Sequence, residues 1–295
     1  YTIRGTSYRD TKSWYKSVDA MRSYKPEFLI SCHGPYLSGQ QVIEDRLIIY
    51  RDAIQYIHDY AIRGANLGKT PDELVEEFEY PSFFLDNYDL QEKYGKVSWS
   101  IRNVYNGYLG FFDGKAVNLE PLSAKKRAKH IFELIGTKEK LIAEINKANS
   151  SQNYQWAAEL SDVGLLNFPN DDKIKNLYSL ALENLSLVEK NPIARNYYLS
   201  EAYELSNKIK PSLEYTVSAE QAKNIPIDTF FDAMGPRLDA QKAKNKLIKV
   251  GFNITDTDEK FGVIVRNQIA EISNFYDDSF DVVISVDSNT WKGIV

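Results

Sequence analysis

Residues 123–136 read SAKKRAKHIFELIG and residues 248–254 read IKVGFNI. The first carries its apolar residues at helical spacing, whereas in the second Ile248, Val250, Phe252 and Ile254 alternate with Lys249, Gly251 and Asn253. A period near 3.6 requires an amphipathic helix, and a period of two requires a half-buried strand. Working outward from the first stretch, 138–148, 154–166 and 172–188 repeat the helical spacing across short breaks at Asn149–Ser151 and Pro169. Another helix follows Asn191 and Pro192 through Tyr197, Leu199, Ala202 and Leu205. Consecutive helices on short loops pack as antiparallel hairpins, and without a second copy at a fixed period they predict a bundle rather than a solenoid. Working outward from the second, Phe261, Val263 and Val265, then Phe280, Val282, Ile284 and Val286, repeat the alternation. These strands predict an antiparallel sheet covered by helices at 229–234 and 239–244.

Ahead of the helices the pattern is mixed. Tyr1–Arg4 reads as a strand, 12–23 as a helix, and Phe28-Leu29-Ile30 as a short buried strand ended by Ser31-Cys32-His33-Gly34-Pro35. Residues 41–64 favour a helix, and Thr70-Pro71-Asp72-Glu73 has the cap, first-turn proline and third-position glutamate of another. The 88–114 stretch concentrates Tyr88, Tyr94, Trp99, Tyr105, Tyr108, Phe111 and Phe112 among four glycines, a composition for a packing wall or a pocket lining. The expected fold class is α+β and multi-domain, in three parts: 1–117, 118–212 and 213–295.

Composition removes several function classes. With 43% hydrophobic and 26% charged residues the chain can bury real cores. It contains no apolar run long enough for a membrane span and opens on no leader-like segment. Thirty-six Lys and Arg against 41 Asp and Glu leave a net charge of −5, so no global attraction draws a nucleic-acid backbone. The single Cys32 excludes an intrachain disulfide and a Cys-based zinc ribbon. The chain opens on Tyr1 within strand-like sequence, which leads us to expect further sequence upstream, and the sheet near Val295 is expected to be incomplete.

Candidate chemistry rests on few residues. His33, at the end of a strand-like run, is either a metal ligand or a capped loop residue. His58, in the 56–59 run YIHD, reads as a member of a polar cluster on a helix face rather than a catalytic group, and His130 beside Lys125–Lys129 as part of a solvated face. Arg4, beside Gly5, offers a planar fork suited to an anionic group. Arg102 reads as structural. Cys32, next to His33 but facing away from it, reads as a small buried residue. No H-x-H, H-E-x-x-H, G-x-S-x-G or glycine-rich phosphate loop is present.

Taken in order, several short motifs carry a resemblance. They are YTIRG at 1–5 with Arg9-Asp10, SCHGP at 31–35, Arg51-Asp52 with YIHD at 56–59, and Tyr94-Gly95 with VSWS at 97–100 and Arg102. YLGFFDG at 108–114, Asn118-Leu119, Pro121-Leu122, YQWAAEL at 154–160 and RNYYL at 195–199 continue the series. The chain resembles the alkyl sulfatase family of the metallo-β-lactamase superfamily. The resemblance implies the C-terminal part of a metallo-β-lactamase-like αββα domain, then a helical dimerisation domain, then a sterol-carrier-like domain. It implies hydrolysis of alkyl sulfate esters by two zinc ions and an activated water, in a homodimer joined through the helical domain. An H-x-H-x-D-H motif, two glutamates and a late histidine are the family's ligands, and His33 matches only the last. Arg4 matches an arginine at the sulfate end, and Tyr94 a substrate-contacting tyrosine. The form Ser-Cys-His-Gly-Pro departs from the Ser-His-His-Trp-Pro of some members. The rival readings are a non-catalytic helical interaction module and a lipid carrier.

Overall fold

The computed structural model describes Ile3, residues 8–210 and residues 218–294. The chain divides into two compact units, residues 1–211 and 212–295.

The first unit is helical. Helix α1 (Thr11–Ser23) starts on Asp10, whose carboxylate accepts the Ser13 amide at 2.8 Å. A short antiparallel pair, β1 (Phe28–Leu29) and β2 (Leu37–Ser38), leads into the long α2 (Gln40–Asn66). Helix α3 (Pro71–Glu76) has the full capping box, the Thr70 hydroxyl accepting from the Glu73 amide while Glu73 accepts the Thr70 amide at 2.8 Å. Helices α4 (Ser82–Leu85) and α5 (Val97–Leu109) follow. The aromatic segment becomes α5, with Ile101, Val104 and Tyr105 buried against Ala61 of α2 and Leu74 of α3. Then come α6 (Ala124–Ile135), α7 (Lys138–Ser150), α8 (Tyr154–Asn167), α9 (Asp172–Val188) and α10 (Pro192–Leu205). Each of α7 to α10 packs on its neighbour in sequence, and α6 lies on α8. Their core is made from Leu141, Ile145, Leu160 and Leu182 with the small Ala157, Ala181 and Ala202, which let helix backbones approach closely.

Fully buried Asn191 ties the two halves of this unit together. Its Oδ1 accepts the amides of Ile193 and Ala194, both at 3.0 Å, capping α10. Its Nδ2 donates to the carbonyls of Glu92 at 2.8 Å and Gly95 at 3.1 Å, just ahead of α5. Beside it Lys96 Nζ meets Glu189 at 2.7 Å.

The second unit contains α11 (Ala219–Lys223), α12 (Ile227–Arg237), the strands β3 (Ile248–Ile254), β4 (Glu259–Arg266), β5 (Ile269–Ser273) and β6 (Val282–Val286), and α13 (Ser288–Ile294). Strand order is β5-β4-β3-β6. Asn267 and Gln268 both take positive φ, the two-residue hairpin geometry that matches the strand twist between β4 and β5. On the face carrying Phe252, Ile254, Phe261 and Val263, Phe231 of α12 and Trp291 of α13 complete the core. Phe231 stacks on Phe261 at 4.0 Å between centroids and on Trp291 at 5.4 Å. The opposite face has a glycine pair in register, Gly251 with Gly262. A Cβ on Gly262 would lie 2.3 Å from the Phe275 carbonyl oxygen, and one on Gly251 would strike the Tyr276 ring. The loop after β5 packs on the sheet because both positions lack side chains.

Several expectations are corrected. The sheet is mixed rather than antiparallel, because β6 runs parallel to β3, Val250 opposite Val282. Alternation fixes which face a side chain takes and leaves strand direction undetermined. The stretch 239–244 is a turn, because Asp239 accepts the amides of Gln241 and Lys242 in competition with helix formation. Strand β5 was not expected. The run at 28–30 is not a buried strand, since Phe28 and Ile30 are 68% and 84% exposed and β1 pairs only with β2 among the described residues. Cys32 is exposed, not buried. The strand expected at Tyr1–Arg4 lies outside the described residues apart from Ile3.

Candidate functional site

Ser31–Tyr36 form an exposed loop joining β1 to β2, and the Ser31 hydroxyl donates to the His33 carbonyl. The His33 imidazole is thus carried on an exposed turn. No group of three or more His, Cys, Asp or Glu side chains among the described residues is arranged to hold a metal ion. A two-zinc centre needs several such donors around each ion and an open position for water. One imidazole does not supply this. Arg4 lies outside the described residues.

Tyr94 is half exposed on the segment ahead of α5. That segment is held firmly, because its Glu92 and Gly95 carbonyls accept from Asn191. The Glu92 carboxylate accepts the Val97 amide at 2.6 Å and the Tyr80 hydroxyl at 2.9 Å. Burial, and then the adjacent Glu92, raise the Tyr80 phenol so that it keeps its proton. Burial alone would raise the Glu189 carboxyl, but Lys96 and the Asn191 amide outweigh it and hold the group below the usual carboxylate range. His33 and Tyr94 therefore sit on different supports, a turn after β1 and a clamped segment before α5.

His58 is buried on α2, as the polar-cluster reading requires, but its partners reach beyond its own helix. Nδ1 lies 2.7 Å from Asp59 Oδ1 and Nε2 lies 2.8 Å from the Tyr108 hydroxyl on α5, with Tyr15 of α1 packed edge-on. Burial and the nearby Asp10 raise the Tyr108 phenol, so the hydroxyl that meets Nε2 keeps its proton. This line of groups joins α1, α2 and α5. Arg102 pairs with Asp72 at 2.7 Å, Arg51 with Asp19 at 2.9 Å, and His130 with Glu133 at 3.0 Å. Each is structural or solvated. No described helix is long and apolar enough to cross a membrane.

Two of the concave surfaces lie among helices α6 to α10. A groove of about 450 Å³ runs between α6, α8, α9 and α10, with Ile131, Val163, Leu182 and Tyr198 among its walls. A second cleft of about 250 Å³ is lined by Ile131, Leu134, Ile135, Glu144, Trp156 and Leu160. Leu134 projects from the last turn of α6 with 90% of its surface exposed, and Trp156 is 47% exposed. Sequence reasoning passed over both residues, and also Glu189 and the contacts of Asn191. The available signal was an apolar stripe on α6 wider than one neighbouring helix can cover.

Comparison with known proteins follows this division. The profile described as alkyl sulfatase dimerisation matches residues 70–208, and that described as alkyl sulfatase C-terminal matches 215–295. A linear primary-alkylsulfatase of Pseudomonas sp. is 33% identical over 97% of this chain and 56% of its own length. An alkyl/aryl-sulfatase of Saccharomyces cerevisiae is 28% identical over 100% of this chain and 46% of its own. The solved stereoselective inverting sec-alkylsulfatase of Pseudomonas sp. superposes with a TM-score of 0.93 at 26% identity, covering 99% of this chain and 47% of that one. The chain spans about half the length of the curated relatives it matches.

Proposed function

This chain belongs to the alkyl sulfatase family, carrying its dimerisation and C-terminal regions, and on that premise we propose that it serves as the assembly and substrate-flanking portion of an enzyme that hydrolyses alkyl sulfate esters. The observation that carries this reading is the order of the two matched regions, one on the helical unit from α3 to α10 and one on the sheet unit. Hydrolysis is proposed of an enzyme that includes this chain, not of these residues by themselves. Zinc belongs to that enzyme, with His33 as this chain's ligand and Arg4 and Tyr94 toward the substrate. That assignment rests on the resemblance of residues 1–5, 31–35 and 94–95. The region before the helical bundle is read as the end of a metallo-β-lactamase-like domain. The sheet unit is read as sterol-carrier-like, in keeping with one sheet face covered by α12 and α13 over an apolar core. The chain is read as a homodimer through its helices.

The test assays the 295-residue chain for sulfate release from dodecyl sulfate with added zinc, with light scattering for its mass. The expected result is a dimer without sulfate release. Zinc-dependent release would overturn the placement of catalysis, and a monomer at micromolar concentration would overturn the association.

A further inference from the structure

Ahead of α6 the helical unit holds two apolar clusters that meet along α2. Ile54 packs with Tyr15 and Leu47 in one, and its neighbour Ala53 packs with Phe84, Val97 and Val104 in the other. At this seam lies a pocket of about 180 Å³, with Ala53, Ile54, Ile57, Phe84, Val97 and Val104 as its apolar walls. It stays unfilled because Ala53, Gly95 and Ser100, which line it, carry small side chains or none. Trp14 and Tyr50, 36% and 38% exposed, frame its open side with their rings edge-on at 6.0 Å. A cavity of about 150 Å³ walled by aliphatic and aromatic side chains stays dry and takes up benzene, so this pocket has room for about six carbon atoms.

The charged groups of the lining call for no ionic ligand. Asp89 pairs with Arg46 at 2.6 Å and Lys96 with Glu189 at 2.7 Å, while the Glu92 carboxylate accepts from the Val97 amide and the Tyr80 hydroxyl. The Ser100 hydroxyl donates to the Lys96 carbonyl at 2.9 Å. Two neutral groups keep hydrogen-bonding capacity. The Tyr50 oxygen accepts from the Trp14 indole, but burial outweighs that contact and raises the phenol, and no acceptor for its proton is seen among the described residues. Gln91, exposed at the rim, likewise shows no side-chain partner among the described residues. We propose that this pocket binds a primary alkanol of about six carbons, its chain against Ile54 and Val104 and its hydroxyl accepting from Tyr50 while donating to the Gln91 side-chain carbonyl. The ligand class follows from the lining. Apolar walls take the chain out of water, one donor and one acceptor satisfy a hydroxyl, and a carboxylate or ammonium group would enter without a free counter-charge. The site stands on these contacts, whichever reaction the chain flanks.

The experiment titrates 1-hexanol, benzene, hexanoate and hexylammonium into the methyl-labelled full chain and follows each by NMR. The methyl group of 1-hexanol is expected to show NOEs to the Ile54 and Val104 methyls, and 1-hexanol to bind at least about 10-fold more tightly than either charged probe. Tyr50→Phe is expected to weaken 1-hexanol about 3- to 10-fold, the scale of one hydrogen bond, and to leave benzene unchanged. Ala53→Leu, which fills the pocket, is expected to abolish uptake of both 1-hexanol and benzene. The NOEs and the partly exposed Tyr50 decide the question even where Ala53→Leu disturbs the fold. The absence of NOEs to Ile54 and Val104 would overturn the site. Equal affinity for 1-hexanol and the charged probes, or a Tyr50→Phe chain that binds 1-hexanol as tightly as wild type, would overturn the alkanol as its ligand.

Discussion

The two units of this chain reach stability by opposite routes. In the helical unit apolar burial is spread over several clusters, with small alanines at the closest approaches and buried polar groups, Asn191 and His58, as cross-ties between elements. In the sheet unit one cluster does nearly all of this, and Phe231, Phe252, Phe261 and Trp291 sit in mutual ring contact at its centre. A small unit buries a lower fraction of its surface, so it concentrates large side chains, whereas a longer helical array can distribute the same work. One substitution should therefore dismantle the sheet unit, while the helical unit should fail at its ties.

The largest effect is expected from Phe231→Ala, about 3–5 kcal/mol, because it empties the centre of a fully buried stack. Hydrogen exchange should show β3 and β4 amides losing protection while α8 and α9 keep theirs, and equal loss in both would break the contrast. Next is Asn191→Ala, about 2–3 kcal/mol, since it removes the α10 cap and leaves the Glu92 and Gly95 carbonyls without their donor. Urea unfolding checks the magnitude. Asn191→Asp, which keeps the cap acceptor but turns a charged oxygen toward the Glu92 and Gly95 carbonyls, should cost at least as much as alanine, and a cost near zero for alanine would remove the notion of a polar tie. The smallest is Lys96→Met, about 1–2 kcal/mol at neutral pH. The Glu189 carboxyl is held low in the folded chain, so its contribution is complete above the ordinary glutamate value and is lost as pH falls through the lowered one. Unfolding midpoints measured from pH 7 down past about 4.3 should drop for wild type and flatten for Lys96→Met. The same slope in both would mean that Lys96 does not set the Glu189 proton.

Helix content was legible because each helix carries its own instructions. The expected cap of α3 at Thr70 is formed with Glu73, and Asn191-Pro192 opens α10. The strand alternation likewise placed Phe252 and Phe261 on one buried face. Phe28-Leu29-Ile30 was misread because an apolar triplet records a tendency to be covered and not whether a partner is present. Asp239 ended an expected helix by bonding two amides locally, a competition that hydrophobic period does not register.

For the site, the sequence by itself determined which residue types exist: one cysteine, three histidines, an arginine and a tyrosine in motifs that resemble a sulfatase, and helices enough for an association domain. Only the tertiary structure decided that β6 runs parallel to β3, that Asn191 clamps the Tyr94 segment, that His58 joins three helices, and that Leu134 stands uncovered beside the Trp156 cleft. The physical reason is range. Caps, turns and amphipathic period are set by residues within a few positions of one another, whereas strand direction, polar cross-ties and uncovered faces depend on which distant segments meet after the chain has packed.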